Sequence, residues 1–269
     1  MADRAAAFAI IIPARHASTR YPGKPLAMLA GATGEARPLI RRSWDGACAV
    51  AGGERVFVAT DDDRIAEVVR GFGGQVLMTG PERRNGTERC AEAVAQIGAD
   101  IVVNWQGDAP LTPAFMIERL VAALVADPEA AMATAAVRCS PATYAHLAAD
   151  AAAGRVGGTT VVTDRQGRAL YFSKRLLPHV PDSDLARAHD QTLLHLGLYA
   201  YRAEALARYA ALDPGVLEEL EGLEQLRFLE AGLPVRVVAF DPPDWSPIEL
   251  NNPADVPVIE AILKERGIA

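Results

Sequence analysis

The sequence is poor in cysteine, in lysine and in long apolar runs. Three cysteines in 269 residues, Cys48, Cys90 and Cys139, stand far apart and without C-x-x-C spacing. That argues against a disulfide frame and against a cysteine-ligated zinc site. No apolar stretch approaches the roughly 20 residues that cross a bilayer. The opening Met-Ala-Asp-Arg-Ala-Ala-Ala-Phe has neither the length nor the flanks of a signal peptide, so a cytoplasmic protein without membrane association is expected. Positive charge is in the minority, 27 Lys and Arg against 34 Asp and Glu for a formal net charge of -7. A nucleic-acid partner normally needs a basic surface, so none is expected. Only three of those basic residues are lysines, Lys24, Lys174 and Lys264. What is present, 50% hydrophobic and 23% charged residues, excludes disorder, collagen and coiled coil. The length fits one large α/β domain or a domain with a sizeable insertion.

Short β-rich runs alternate with helical patterns through the first half, the signature of βαβ units. Strands are expected at Phe8 to Ile12, Arg55 to Ala59, Gln75 to Met78 and Asp100 to Trp105, with helices at Arg37 to Val50, Asp62 to Phe72 and Thr87 to Ile97. The strands are nearly continuous in apolar character, as in a parallel, Rossmann-like sheet covered on both faces. After Cys139 the pattern changes. Thr159 to Thr163 and Arg168 to Phe172 read as a hairpin, His195 to Tyr201 as a further strand, and Pro178 to Gln191 as an exposed loop, together an antiparallel lobe. Val216 to Ala231, with leucines at 217, 220, 223, 226 and 229, reads as one amphipathic helix. Val235 to Phe240 returns to strand, and Pro253 to Arg266 is a closing helix capped by Asn252.

Three segments carry candidate chemistry. Ile12 to Leu26, read IPARHASTRYPGKPL, follows the first strand and so falls at the carboxyl edge of the sheet, where ligands bind. It supplies Arg15, Arg20 and Lys24 with small hydroxyl residues, the composition of a triphosphate cradle, although G-x-x-x-x-G-K-[ST] is absent. A solvated basic loop would look much the same on composition. The rarity of lysine favours the cradle, because Lys24 offers a compact ammonium where arginine would offer a planar fork. Asn104 to Leu111, NWQGDAPL, ends another apolar strand, and Asp108 is placed to hold Mg²⁺ shared with phosphates. The plainer role, a turn aspartate capping the next helix, is weakened by Thr112-Pro113, which already offers that cap. Gly80 to Arg89 runs into a helix whose first amides suit an anion or a base edge, with Thr87 as a cap.

Taken with VATD at Val58 to Asp61, NGTER at Asn85 to Arg89, ALYFSK at Ala169 to Lys174, HLGLYAYR at His195 to Arg202 and LEQLR at Leu223 to Arg227, these blocks resemble the 3-deoxy-manno-octulosonate cytidylyltransferases. The seven blocks occur in order over nearly the whole chain. The resemblance implies a single nucleotidyltransferase domain over residues 1–269, of the nucleotide-diphospho-sugar transferase type, with a substrate and dimerisation lobe over residues 139–202. It implies a cytoplasmic, Mg²⁺-dependent homodimer that joins CTP to the sugar acid KDO for lipopolysaccharide synthesis. By the same resemblance Arg15, Lys24 and Asp108 take part in catalysis. Arg15, Ser18, Arg20 and Lys24 hold the triphosphate, and Ala59, Asp61, Asn85, Gly86, Thr87 and Gln106 surround cytidine. Lys174, His195, Tyr199, Glu224 and Gln225 fall around the sugar acid, and Asp108 and Asn251 at the metal. His195 alone in an apolar strand would read as a core histidine, and LEQLR alone as a helix face.

The chain departs from the family pattern in four places, all toward the sugar or the metal. Leu250-Asn251-Asn252-Pro253 replaces a valine-aspartate-threonine-proline motif, leaving Glu249 or Asp255 as the carboxylates that could compensate. Thr160 stands at a lysine, Lys174 at an arginine, and Pro178 to Asp182 in place of an aromatic and charged segment. Arginine to lysine matters wherever a bidentate carboxylate contact is made. Transfer to another sugar acid or anionic acceptor is therefore the alternative, and a non-catalytic nucleotide-binding homologue a third. A dehydrogenase is disfavoured by the lack of G-x-G-x-x-G after the first strand.

Overall fold

The computed structural model describes residues 8–18, 20–242 and 249–269. The chain start and Thr19 of the cradle motif lie outside them. Two units form, one from residues 1–118 with 246–269 and the other from 119–245, so the second interrupts the first in sequence. The segment 139–202 lies inside the second unit, whose bounds are wider at both ends.

In the first unit, β1 (Phe8–Ala14) is flanked on one side by a strand pairing through Ile10 with Val56 and on the other by one pairing through Phe8 with Ile101, both parallel. The hairpin β2 (Met28–Ala30) and β3 (Ala36–Pro38) precedes α1 (Leu39–Ala51). Then come β4 (Val56–Thr60), α2 (Asp63–Gly71), β5 (Gln75–Met78), α3 (Gly86–Val94) and β6 (Ile101–Asn104). Strand order β6-β1-β4-β5, all parallel, agrees with the apolar runs read from sequence. β1 and β6 are almost wholly buried because helices cover them, which is why neither alternates. The α1 helix begins at Leu39 rather than Arg37, since residues 36–38 pair in the hairpin. Asp62 caps α2, accepting from the Arg64 and Ile65 N–H groups, and Gly73 follows at φ 84. The division between units falls within α4 (Ala114–Ala126).

The second unit holds β7 (Met132–Arg138), α5 (Pro141–Ala152), β8 (Thr160–Thr163), β9 (Ala169–Ser173), α6 (Ala188–Gln191), β10 (Leu193–Arg202), α7 (Ala203–Ala210), α8 (Val216–Glu221), α9 (Leu226–Glu230) and β11 (Val235–Phe240). β11 runs parallel to β7, while β7-β10-β8-β9 are successively antiparallel, giving the lobe its character. Two expectations fail here. The segment Pro178 to Gln191 is not a plain loop, for a 3₁₀ turn at Asp182–Arg187 leads into α6. The helix expected over Val216 to Ala231 is two, parted at Gly222, which sits at φ 61. A leucine every third residue falls about 60° short of a full turn at each step, so five of them cannot share one face. Leu220 accordingly points outward, 80% exposed, while Leu226 is fully buried.

The chain returns to the first unit in α10 (Val256–Glu265), entered through a 3₁₀ turn. Asn252 and Asp255 form a reciprocal capping box there, as the sequence suggested for Asn252. Glu260 of α10 accepts the Ala30 N–H at 2.7 Å and so fastens β2.

Candidate active site

The carboxyl ends of β1 and β6 are adjacent, so the loops leaving them meet. Gly107 makes that meeting close: a Cβ there would fall 2.8 Å from the Pro13 carbonyl oxygen, a contact no side chain tolerates. Ser43 Oγ donates to the Gly107 carbonyl at 3.0 Å and holds the turn that presents Asp108. A cleft of about 300 Å³ opens at these strand ends. It gathers Arg15, Ser18, Arg20 and Lys24 from the first loop, Asn85 and Gly86 from the start of α3, and Gln106 and Asp108 from the loop after β6. Ala59, Asp61 and Thr87 do not line it. Ala59 is buried in β4 opposite Pro13, Asp61 lies 3.4 Å from Arg89 Nη1, and Thr87 is buried in the first turn of α3. The cap of α3 is Asn85, not Thr87: the Asn85 side chain accepts the Glu88 N–H at 2.8 Å, and its extended backbone marks it as the residue outside the helix.

Arg83, Arg84 and Arg89 also line the cleft, which sequence reasoning passed over although it had singled out their segment. Among the described residues six cations thus line the cleft, with one carboxylate, Asp108. Arg83 is paired with Glu92 and Glu82, Arg84 with Glu88 and Arg89 with Asp61, whereas Arg15 has no ion-pair partner among the described residues. A concave, positively lined surface of this kind concentrates polyanions in a protein of net charge -7.

Asp108 is held from two sides. Its Oδ2 accepts from Lys24 Nζ at 2.5 Å, and its carbonyl accepts the Leu250 N–H at 2.8 Å. Lys24 Nζ also donates to the Leu250 carbonyl at 3.2 Å, and Arg20 Nη2 donates to Asn251 Oδ1 at 2.8 Å. Asp255 is occupied with the Asn251 and Asn252 N–H groups, at 2.8 and 2.7 Å, and so remains a helix cap. Glu249 Oε2 accepts from Asn251 Nδ2 at 3.5 Å. Desolvation and, next, the Asp108 carboxylate raise its pKa above the ordinary carboxylate range. Hard oxygen donors, Asp108, Glu249, the Leu250 carbonyl and the Asn251 amide oxygen, suit Mg²⁺ rather than a thiolate-seeking metal. Among the described residues no group of three or more His, Cys, Asp or Glu side chains is arranged to hold a metal ion. An ion here would share its coordination with phosphates, which is the habit of Mg²⁺.

In the second unit, β10 carries a bulge between Leu196 and Tyr199. Thr134 of β7 fills it, donating to the Leu198 carbonyl at 2.9 Å and lying 2.9 Å from His195 Nε2. The His195 ring packs edge-on against Phe172 and tilted against Tyr199, and its enclosure lowers the imidazole pKa to about 3. It is a neutral hydrogen-bonding group. Tyr199 Oη lies 3.5 Å from Gln225 Oε1; Gln225 is 2% exposed, and its Nε2 has no partner among the described residues. Glu224 sits in the turn between α8 and α9, and Lys174 follows β9 beside Glu221. Thr160 is buried and structural, donating to the Arg175 carbonyl at 2.6 Å.

A parallel sheet whose strand ends carry a cation-lined cleft with one acidic side chain defines an α/β protein of the phosphate-binding kind. The cytidylyltransferase family model matches residues 9–237. The 3-deoxy-manno-octulosonate cytidylyltransferase of Maricaulis maris is 46% identical over 259 residues, covering 96% of this chain and 97% of that protein. That of Vibrio cholerae is 42% identical over 267 residues, 97% and 99% covered. The structure of CMP:2-keto-3-deoxy-manno-octonic acid synthetase complexed with CTP aligns at a TM-score of 0.83 and 32% identity over 97% of this chain and all of that one. A 4-diphosphocytidyl-2C-methyl-D-erythritol synthase from Anaerococcus prevotii, 13% identical over 97% of this chain and 99% of that one with a TM-score of 0.57, shares the fold. This chain belongs to the cytidylyltransferase family, among its 3-deoxy-manno-octulosonate cytidylyltransferases.

Proposed function

We propose that the protein transfers CMP from CTP to the anomeric hydroxyl of 3-deoxy-manno-octulosonate. The sugar oxygen bonds to the α-phosphorus, the bond from that phosphorus to the bridging oxygen breaks, pyrophosphate leaves with the electron pair, and the hydroxyl proton is released. The observation that carries this reading is the cleft with six lining cations at the strand ends, in a chain more than 40% identical to curated 3-deoxy-manno-octulosonate cytidylyltransferases over nearly its full length.

Arg15, Ser18, Arg20 and Lys24 take the triphosphate, and Asn85, Gly86 and Gln106, which line the cleft with them, surround cytidine. Asp108 holds Mg²⁺ with Asn251, and Glu249 stands beside them. When bound, Mg²⁺ offsets charge on the phosphate oxygens. Lys24 turns from Asp108 to the phosphates, so its ammonium serves the carboxylate before nucleotide enters and the polyanion afterwards. His195, Tyr199, Glu224 and Gln225 orient the sugar hydroxyls, and Lys174 meets its carboxylate. Positioning and charge neutralisation supply most of the acceleration in such transfers. The product serves lipopolysaccharide synthesis, and the enzyme works as a cytoplasmic homodimer. Exposed Leu170, Val216 and Leu220 of the second unit support self-association. Among the described residues no helix is long and apolar enough to cross a membrane.

Lys174 in place of arginine and Asn251 in place of aspartate favour a second reading, in which the acceptor is a related 2-keto-3-deoxy acid. Pyrophosphate release measured with CTP and a panel of such acids separates the two. The first predicts the highest kcat/KM for the octulosonate. A higher value for another acid selects the second, and silence with every acid overturns both.

A further inference from the structure

Glu221 ends α8, one residue before Gly222 and three before Glu224, and its carboxylate reaches the end of β9. It accepts from Ser173 Oγ at 2.7 Å and from the Lys174 backbone N–H at 2.9 Å, with the Tyr171 hydroxyl at 3.4 Å. Three donors from one strand end thus converge on a single carboxylate, and hydrogen bonds to an ionised acceptor are the strong ones. The Lys174 peptide is fixed to α8 by this contact, while its ammonium forms no ion pair among the described residues. That ammonium lies over Gly222: a Cβ built on the glycine would fall 3.0 Å from Lys174 Nζ. Gly222 therefore does two things, adopting the left-handed φ of 61 that separates the helices and leaving room for the ammonium. Lys174, Glu221 and Tyr171 share a cavity of about 370 Å³ with Arg155 and Arg175, so the space beside the ammonium is open and positively lined.

We infer that Glu221 and Gly222 are positioning residues for the acceptor. They hold Lys174 over the turn between α8 and α9, and so set how tightly a sugar acid is bound. The inference rests on the proposed contact between Lys174 and the anionic group of the sugar. A carboxylate that merely tied a helix to a strand would affect melting temperature and both substrates together. One that positions Lys174 acts on the acceptor alone and only through Lys174.

The test is a double-mutant cycle on the full chain. Glu221→Gln keeps the shape and one acceptor but removes the charge, Gly222→Ala drives a Cβ toward the ammonium, and Lys174→Met removes it. Each single variant is expected to raise KM for the octulosonate about tenfold and to leave KM for CTP within about twofold. Glu221→Gln combined with Lys174→Met is expected to be no worse than Lys174→Met alone, because residues acting through one another are not additive. A parallel rise in both KM values, or full additivity, overturns the inference. Gly222→Ala carries backbone strain, so Glu221→Gln is the deciding variant. If the wild-type protein does not turn over the octulosonate, the proposed function fails. The positioning is then read from hydrogen exchange at the Lys174 amide, expected about tenfold faster in Glu221→Gln and overturned by no change.

Discussion

Asp108 and Lys24 pair at 2.5 Å, and their contact decides what each substitution does. Asp108→Asn removes the charge that an oxygen-seeking cation needs, so pyrophosphate release is expected to drop by more than about a hundredfold; turnover near that of the wild type would contradict the role. Lys24→Met removes the ammonium from Asp108 Oδ2 and the Leu250 carbonyl. Mn²⁺ read by electron paramagnetic resonance should then bind the nucleotide-free variant tighter than the wild type, by about tenfold, while CTP affinity falls. Equal Mn²⁺ affinity would remove Lys24 as the resting partner of Asp108. His195 makes a pH argument. Enclosure lowers its pKa from 6.5 to about 3, so between those values the unfolded chain binds the proton and the folded one does not. Stability is therefore lost as pH falls below about 6.5, by about 2 kcal/mol at pH 5. His195→Gln should flatten that limb in denaturant titrations, and an unchanged limb would place the loss elsewhere. Most of the cleft at this scale was legible from sequence, because cations and a carboxylate at strand ends announce themselves. Arg83, Arg84 and Arg89 did not, since charge in a loop says nothing about which way it faces.

Elements were legible where a continuous apolar run or a cap marked them, as in β1 and α2. β7 was missed because Met-Ala-Thr-Ala-Ala-Val-Arg lacks the β-branched density of a strand. Six of its seven residues are buried between β11 and β10, so tertiary pairing and not propensity makes it extended. The three-residue strands of the β2-β3 hairpin offer too little pattern to be read at all. The broken helix at Gly222 was foreshadowed by the three-residue leucine spacing and by the glycine itself. What holds its halves is a buried pair: Arg227 Nε and Nη2 each donate to Glu218 at 2.6 Å, with the guanidinium 4.1 Å from the Tyr209 ring centre. Glu230 closes the other end, accepting the Leu217 and Glu218 N–H groups. Removing one partner leaves a buried charge, so Arg227→Met should cost about 3–5 kcal/mol in chemical denaturation. Glu218→Gln combined with Arg227→Met should cost less than Arg227→Met alone. A double variant as unstable as the sum of the singles would deny the pair its role.

For the whole molecule, scarcity of positive charge and concentration of positive charge are compatible. The net charge of -7 excludes a broadly basic surface, while six cations gather at one set of strand ends and Lys174 occupies the second unit. Sequence composition reports the first property; only folding, which brings residues 15–24, 83–89 and 106–108 together, reveals the second. The proposed acceptor site is the part least written in the sequence, because it depends on how Lys174 and His195 are held: Glu221 accepts the Lys174 N–H, and Thr134 lies 2.9 Å from His195 Nε2. The most direct measurement is phosphorus NMR of CTP, Mg²⁺ and 3-deoxy-manno-octulosonate incubated with the purified protein. Loss of the three CTP resonances is expected, with growth of one phosphodiester signal and of a pyrophosphate signal of twice its intensity, dependent on the sugar acid. CTP left intact, or converted to CDP and phosphate, would contradict the proposed transfer.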